Sequence, residues 1–126
     1  MGAGLWATKV HAPCLSDNPN MCFVGVQARD LTRSSMLAEQ FGVQSFQCYE
    51  ELLASTDAVS FAIAPVGQAE LAPQALARGL HVLLEKPVAT VVEQVRGMAA
   101  QLVPGQRAAV FLTRFSILVG LSGCRA

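Results

Sequence analysis

The sequence predicts an α/β fold, a parallel sheet with helices on both faces. Three observations carry that reading. Strand-like and helix-like segments alternate along almost the whole chain. The strand segments are short and nearly continuous in apolar character, as strands covered on both faces are. Of 126 residues, 52% are hydrophobic and only 14% charged, enough apolar side chains for the core of one modest domain.

The elements follow in order. Residues 22–28 (CFVGVQA) form a first apolar, strand-forming run. From Arg33 to Phe41, Met36, Leu37 and Phe41 have helical spacing, and Gly42 closes the segment as a C-terminal glycine does. Residues 43–48 (VQSFQC) suit a short strand, and Tyr49 to Ser55 make roughly two helical turns. Asp57 opens a strand over Ala58 to Ile63, ended by Pro65 and Gly67. A helix covers part of Gln68 to Arg78, with Gly79 at its end. Pro73 would remove a hydrogen bond and crowd the preceding turn, so this helix begins near Ala72 or bends. His81 to Glu85 is the next strand. Thr90 and Glu93 have capping-box spacing, which predicts a helix from Thr90 to about Leu102. Pro104 and Gly105 turn the chain into a last strand, Ala108 to Thr113. There is no internal repeat and no low-complexity linker.

Composition narrows the function classes. A formal net charge of zero, with no basic cluster interleaved with aromatics, argues against nucleic acid or an anionic membrane as partner. The most apolar stretch, Asp57 to Val66, is too short to span a bilayer and contains Pro65. His11 and Pro13 interrupt the apolar start, so no signal peptide is read there. Cys14, Cys22, Cys48 and Cys124 are scattered, which points to buried free thiols in a reducing compartment, the cytoplasm. No His/Cys/Asp set has metal-ligand spacing, and no nucleophile elbow or P-loop occurs. A mean hydropathy of +0.41 fits either buried parallel strands or surface that normally faces a partner, through which the chain could also self-associate.

Gly2, Gly4 and Ala7 stand in G-x-G-x-x-A spacing. The first glycine makes a tight turn, the second lets backbone approach a pyrophosphate, and the small third residue lets the next helix pack close to the sheet. Backbone N–H groups at that helix's start, around Leu5 and Trp6, then face the phosphates, with the Trp6 side chain packed beneath the turn. Such a fingerprint follows a strand, yet only Met1 precedes it. The sequence therefore predicts a Rossmann-like sheet with its first strand missing, and that strand would be the central one. Its loss leaves two ladders of backbone groups to be satisfied in some other way.

The end of the second strand discriminates between cofactors. An acidic residue there accepts hydrogen bonds from the adenosine ribose, whereas arginines favour a 2′-phosphate. In one register Ala28 holds this position, with Arg29 and Arg33 following, which favours NADP over NAD. In the alternative register Asp30 meets the ribose and the preference reverses; otherwise Asp30 is a helix N-terminal residue.

Residues 79–89 (GLHVLLEKPVA) are the sharpest signal. A strand ends in Glu85 and Lys86, and Pro87 restricts the geometry of Lys86. In open α/β sheets ligands sit beyond the carboxyl ends of the strands, so Lys86 lies on the ligand side.

With this block, Gly2 to Ala7 with His11, Ala28-Arg29-Asp30, Leu37-Ala38, Phe41-Gly42-Val43, Tyr49 to Leu53, Asp57-Ala58-Val59 and Pro65, the chain resembles the glucose–fructose oxidoreductase / inositol dehydrogenase (Gfo/Idh/MocA) family over residues 2–116. The resemblance implies an N-terminal domain that binds NAD or NADP and a C-terminal domain that completes the substrate pocket. It implies hydride transfer between the nicotinamide and a sugar, polyol or related hydroxyl or carbonyl carbon. Lys86 then resembles the catalytic lysine beside the nicotinamide and substrate, and Glu85 the residue that supports it and the nicotinamide ribose. Pro65 and Gln68 fall in a loop near the nicotinamide, although Val66, Gly67 and Gln68 depart from the family's Asn/His form, and Arg114 approaches the cofactor from the last strand. His11 and His81 read as packing or structural residues.

The expected organisation is an incomplete nucleotide-binding domain over residues 1–116 and a short apolar tail over 117–126, with no substrate domain following. Three functions fit: an oxidoreductase that recruits its missing half, a fragment that binds nucleotide weakly or not at all without turnover, and a non-enzymatic interaction module.

Overall fold

The computed structural model describes residues 1–112. Arg114, Cys124, the tail over 117–126 and the end of the last expected strand lie outside the described residues. The elements are a π-helical segment Ala7–His11 continuing into α1 (Ala12–Ser16), β1 (Gly25–Val26), α2 (Leu31–Phe41), β2 (Gln44–Ser45), α3 (Tyr49–Ala54), β3 (Ala58–Ser60), α4 (Pro65–Ala77), β4 (His81–Glu85), α5 (Val92–Ala100) and β5 (Ala108–Phe111). Every strand pair is parallel, with helices packed against the strands. The expected Rossmann-like α/β class is what the chain forms.

The sheet is divided. β1 pairs with β2, and β3, β4 and β5 form a second group in that order. Between the two groups, Met1 and Gly2 stand in for the expected first strand. The Met1 amine donates to Ser60 O at 2.7 Å, Ala62 N–H donates to Met1 O at 2.9 Å, and Gly2 N–H donates to Gln27 O at 2.8 Å. Both edges are therefore joined at their carboxyl ends, where the glycine turn needs support. Below that point no strand lies beside either edge among the described residues, and the apolar run over 22–28 contributes only Gly25–Val26 as ladder. The buried amine is held down to about 5 by loss of hydration.

Two cores flank the sheet. Phe46, Leu52, Leu53, Phe61, Leu76 and Leu84 belong to one, closed by Met98 of α5; Ala7, Ala12, Val26, Leu37 and Ala38 form the other.

Local expectations hold at several termini and fail at others. Gly42 caps α2 in the left-handed region at φ 63°. Asp30 is the N-cap of α2, accepting from Arg33 N–H at 3.1 Å, so the helix starts two residues before the periodic run suggested. α4 neither begins near Ala72 nor stops at Pro73. It starts at Pro65, whose fixed φ suits the first turn, and carries Pro73 inside. The capping box at Thr90 does not form. Thr90 Oγ1 bonds Gln94 Oε1 instead, and α5 begins at Val92 with no side-chain cap. The thiols are free but not buried as expected: Cys14 and Cys22 are exposed and Cys48 is half-buried.

Candidate cofactor site

Gly2 has φ +105°, and a Cβ there would lie 2.5 Å from Ala62 O. Only glycine fits that turn without strain. At Gly4 a Cβ would meet nothing within 4 Å, so the backbone faces open space. Gly2 and Gly4 share a cleft of about 390 Å³ with Arg29, Arg33, Val66 and Glu70, among others. The glycine turn, the end of β1 and the start of α4 thus meet at the carboxyl ends of the strands. A pyrophosphate needs such an open backbone turn followed by a helix start, and the turn, the two arginines and the room all fit a dinucleotide.

Ala28 is buried at the end of the β1 segment and carries no carboxylate. Asp30 turns back on its own helix, capping α2 and pairing with Arg33 Nε at 3.2 Å. Its side chain therefore acts as the helix N-terminal residue. Arg29 is exposed in the cleft wall.

The second group forms around Glu85. Trp6 Nε1–H donates to Glu85 Oε1 at 2.6 Å, and His11 Nε2 lies 2.8 Å from the same oxygen. His11 Nδ1 is 2.6 Å from Ser60 Oγ. A carboxylate only accepts, so Nε2 carries the proton; in the neutral ring the Ser60 hydroxyl donates to Nδ1. Two features bring His11 here. Pro13 lacks the N–H an α-turn would send to Lys9 O, and its ring crowds that carbonyl. The segment widens into a π turn, closed by Ala12 N–H to Ala7 O, which ends at buried His11. Trp6 does not pack beneath the glycine turn as expected. It is partly exposed and reaches sideways to Glu85.

Gln68 is buried completely, with its amide bracketing the turn after β4. Its Oε1 accepts from Glu85 N–H at 2.7 Å, and its Nε2 donates to Glu85 O at 2.9 Å, Pro87 O at 3.2 Å and Val88 O at 3.4 Å. In this arrangement the Gln68 amide supports the backbone of the Glu-Lys-Pro turn. Lys86 is exposed on that turn, and among the described residues it forms no ion pair. The Lys86–Pro87 peptide is cis. Leu5 is 70% exposed beside Gly4, and Pro65 is the first residue of α4. Neither these two nor Trp6, Gln68 and Glu85 line the cleft shared by Gly2 and Gly4. Arg114 lies outside the described residues.

Sequence reasoning placed His11 among packing residues and gave Ser60 no role. The partners of His11, Ser60 and Glu85, lie 49 and 74 positions away from it, beyond any local spacing. A histidine one turn past the glycine pattern was the only available signal.

Comparison with known proteins agrees with this geometry. The chain is 37% identical over 90 residues to galactose 1-dehydrogenase of Pseudomonas fluorescens, a match covering 69% of this chain and 27% of that enzyme. It spans about a quarter of the length of the curated relatives it matches. Among solved structures, the 3-ketoreductase KijD10 of Actinomadura kijaniata, in complex with NADP and TDP-benzene, superposes with a TM-score of 0.74 at 30% identity, covering 79% of this chain and 31% of KijD10. GenD2 from gentamicin A biosynthesis, in complex with NAD, superposes with a TM-score of 0.83 at 27% identity, covering 98% of this chain and 38% of GenD2. The model of the oxidoreductase family with an NAD-binding Rossmann fold matches residues 1–110, and the chain belongs to that Gfo/Idh/MocA family.

Proposed function

We propose that this chain is the nucleotide-binding unit of an NAD(P)-dependent oxidoreductase acting on a sugar, polyol or related hydroxyl or carbonyl carbon. The observation that carries the reading is a continuous arrangement across the strand ends. The open turn at Gly4 and the arginines of the cleft lie on one side, and Trp6 links that turn to Glu85, next to Lys86. When bound, the nicotinamide gives or takes the hydride. Gly2, Gly4 and the N–H groups near Leu5 and Trp6 hold the pyrophosphate. Arg29 and Arg33 hold the adenosine end, and Pro65 starts the helix that bounds the cleft. Lys86 donates a hydrogen bond to the substrate oxygen, lowering the cost of charge that develops there. Glu85, oriented by Trp6 and His11, sets the position of Lys86, and Gln68 holds the backbone from which both project.

NADP is the favoured cofactor. No carboxylate stands at Ala28, Asp30 is engaged with its helix and Arg33, and Arg29 is free to meet a 2′-phosphate. The unit runs over residues 1–116, of which the family model matches 1–110. Hydride transfer needs the substrate carbon held against the nicotinamide, and in this family a second domain supplies much of that hold. The free thiols accord with the cytoplasm. Among the described residues no helix is long and apolar enough to cross a membrane.

Calorimetric titration tests this reading. NADP should bind saturably and more tightly than NAD, and Arg29→Ala should weaken NADP by about tenfold while leaving NAD nearly unchanged, as loss of one charge-assisted contact implies. A cooperatively folded chain that binds neither nucleotide would overturn the proposal.

A second reading has its own observation. The outer strand β5 is largely exposed, with Val110 uncovered, as is Leu112 just after it. This face suits packing by a further domain or a second copy. Sedimentation showing only monomer across micromolar concentrations would remove the second copy.

A further inference from the structure

The cleft shared by Gly2 and Gly4 is built from elements of different chemistry. The segment after β1 brings Arg29, Asp30 and Arg33, and the opening of α4 brings Val66, Gly67 and Glu70. Glu70 follows Val66 by four residues and Gly67 by three, so the three share one face of the helix. Val66 is 65% exposed and Gly67 has no side chain. This face is therefore a low apolar surface that ends, one turn along, in a carboxylate. The four charges of the cleft are not equivalent. Asp30 and Arg33 are occupied with each other at 3.2 Å. Arg29 and Glu70 are exposed, and among the described residues neither forms an ion pair. Glu70 engages its main-chain carbonyl, which accepts from Gln74 Nε2 at 3.2 Å, and leaves its carboxylate to the cleft. A ligand that fills the cleft thus meets one uncommitted cation after β1 and one uncommitted anion on α4.

We infer that Glu70 reads the base of the dinucleotide: its carboxylate accepts a hydrogen bond from the 6-amino group of adenine. The inference rests on the cofactor reading above and adds to it the residue that selects the purine. The cation is answered by the 2′-phosphate at Arg29. The anion needs a donor, since a carboxylate only accepts. The phosphates offer none, and the adenosine ribose carries the 2′-phosphate, beside which a carboxylate would be repelled. The base remains. Its planar ring suits the apolar surface of Val66 and Gly67, and its amino group is the donor that reaches past the ring edge to Glu70. A 6-oxopurine in the same pose sets an oxygen against the carboxylate, two acceptors face to face, with its nearest donor one ring position away. A site built to accept from an amino group therefore rejects the oxo analogue.

The test compares NADP with nicotinamide hypoxanthine dinucleotide phosphate, which differs only in carrying a 6-oxo group in place of the 6-amino group. Both are titrated calorimetrically into the 126-residue chain, into Glu70→Ala and into Glu70→Gln. The unmodified chain should bind NADP about tenfold more tightly than the oxo analogue, as loss of one charge-assisted bond implies. Glu70→Ala should weaken NADP by about the same factor and leave the analogue no weaker, so that the preference disappears. Glu70→Gln should narrow the preference from the other side, because its amide can turn an N–H towards the 6-oxygen and tighten the analogue. The comparison of two ligands in the unmodified chain does not depend on how any variant folds. Equal binding of the two nucleotides by the unmodified chain overturns the assignment of Glu70 and leaves the cofactor reading standing. Weakening of both nucleotides in equal proportion by Glu70→Ala also overturns it, and would move the carboxylate from the base to the sugar. A folded chain that binds neither nucleotide overturns the cofactor reading itself, and this inference with it.

Discussion

Gly2 and Gly4 belong to one motif but answer to different demands. At Gly2 the constraint is internal, a positive φ with Ala62 O directly behind the missing Cβ. Gly2→Ala should destabilise the chain by about 1–3 kcal/mol, read as a lowered urea midpoint. At Gly4 nothing in the protein opposes a methyl group. Gly4→Ala should leave the midpoint within about 0.5 kcal/mol of wild type yet weaken NADP binding, because the methyl stands where a phosphate approaches. Equal effects of both changes on stability would contradict this division. Gln68 is a further residue whose role is not visible in its type. A buried glutamine meeting one N–H and three carbonyls is replaced by leucine at similar size, but the N–H of Glu85 is then left unpaired. Gln68→Leu should cost about 1–3 kcal/mol in urea unfolding. An unchanged midpoint would show that the turn after β4 finds other partners.

At the scale of elements, the first helix and β4 are locked together by side chains rather than by apolar packing alone. Trp6 and His11 share one carboxylate oxygen of Glu85, and the His11 ring lies 5.7 Å from that of Phe111. Trp6 is the single tryptophan, so its emission reports on this junction without labelling. Glu85→Ala should shift the emission to longer wavelength as the indole loses its acceptor and gains water. An unaltered spectrum would mean that Trp6 and Glu85 do not meet. Element types were legible because apolar alternation and glycine punctuation are local. Element ends were less so. At Thr90 the spacing of a capping box is present, yet the hydroxyl bonds Gln94 and the helix waits until Val92. At Pro73 the helix carries a residue that propensity opposes, because burial of Ala72, Ala75 and Leu76 against the sheet outweighs one missing hydrogen bond.

For the whole molecule, the division of the sheet concentrates stability on Met1. Its amine titrates near 8.0 when exposed and about 5 in the fold. Between those values the unfolded chain holds the extra proton, so stability is full above pH 8, declines as pH falls towards 5, and levels off below. The change is on the order of a few kcal/mol, visible as a urea midpoint that drops between pH 8 and pH 5.5. Acetylation of the amine should flatten that slope. A flat profile in the unmodified chain would show that the amine reaches water.

The sequence by itself determined the class of the fold, the glycine turn, the Glu-Lys-Pro turn at the end of β4 and the family. All of these rest on patterns within a few residues of one another, where periodicity and backbone restriction act directly. Only the tertiary structure decided that Met1 and Gly2 bridge the divided sheet and that Gln68 brackets the turn after β4. It alone showed that His11, Trp6 and Ser60 assemble around Glu85. Those partners are 17 to 79 positions apart, and their meeting depends on how helices settle on the sheet once apolar burial has drawn them there.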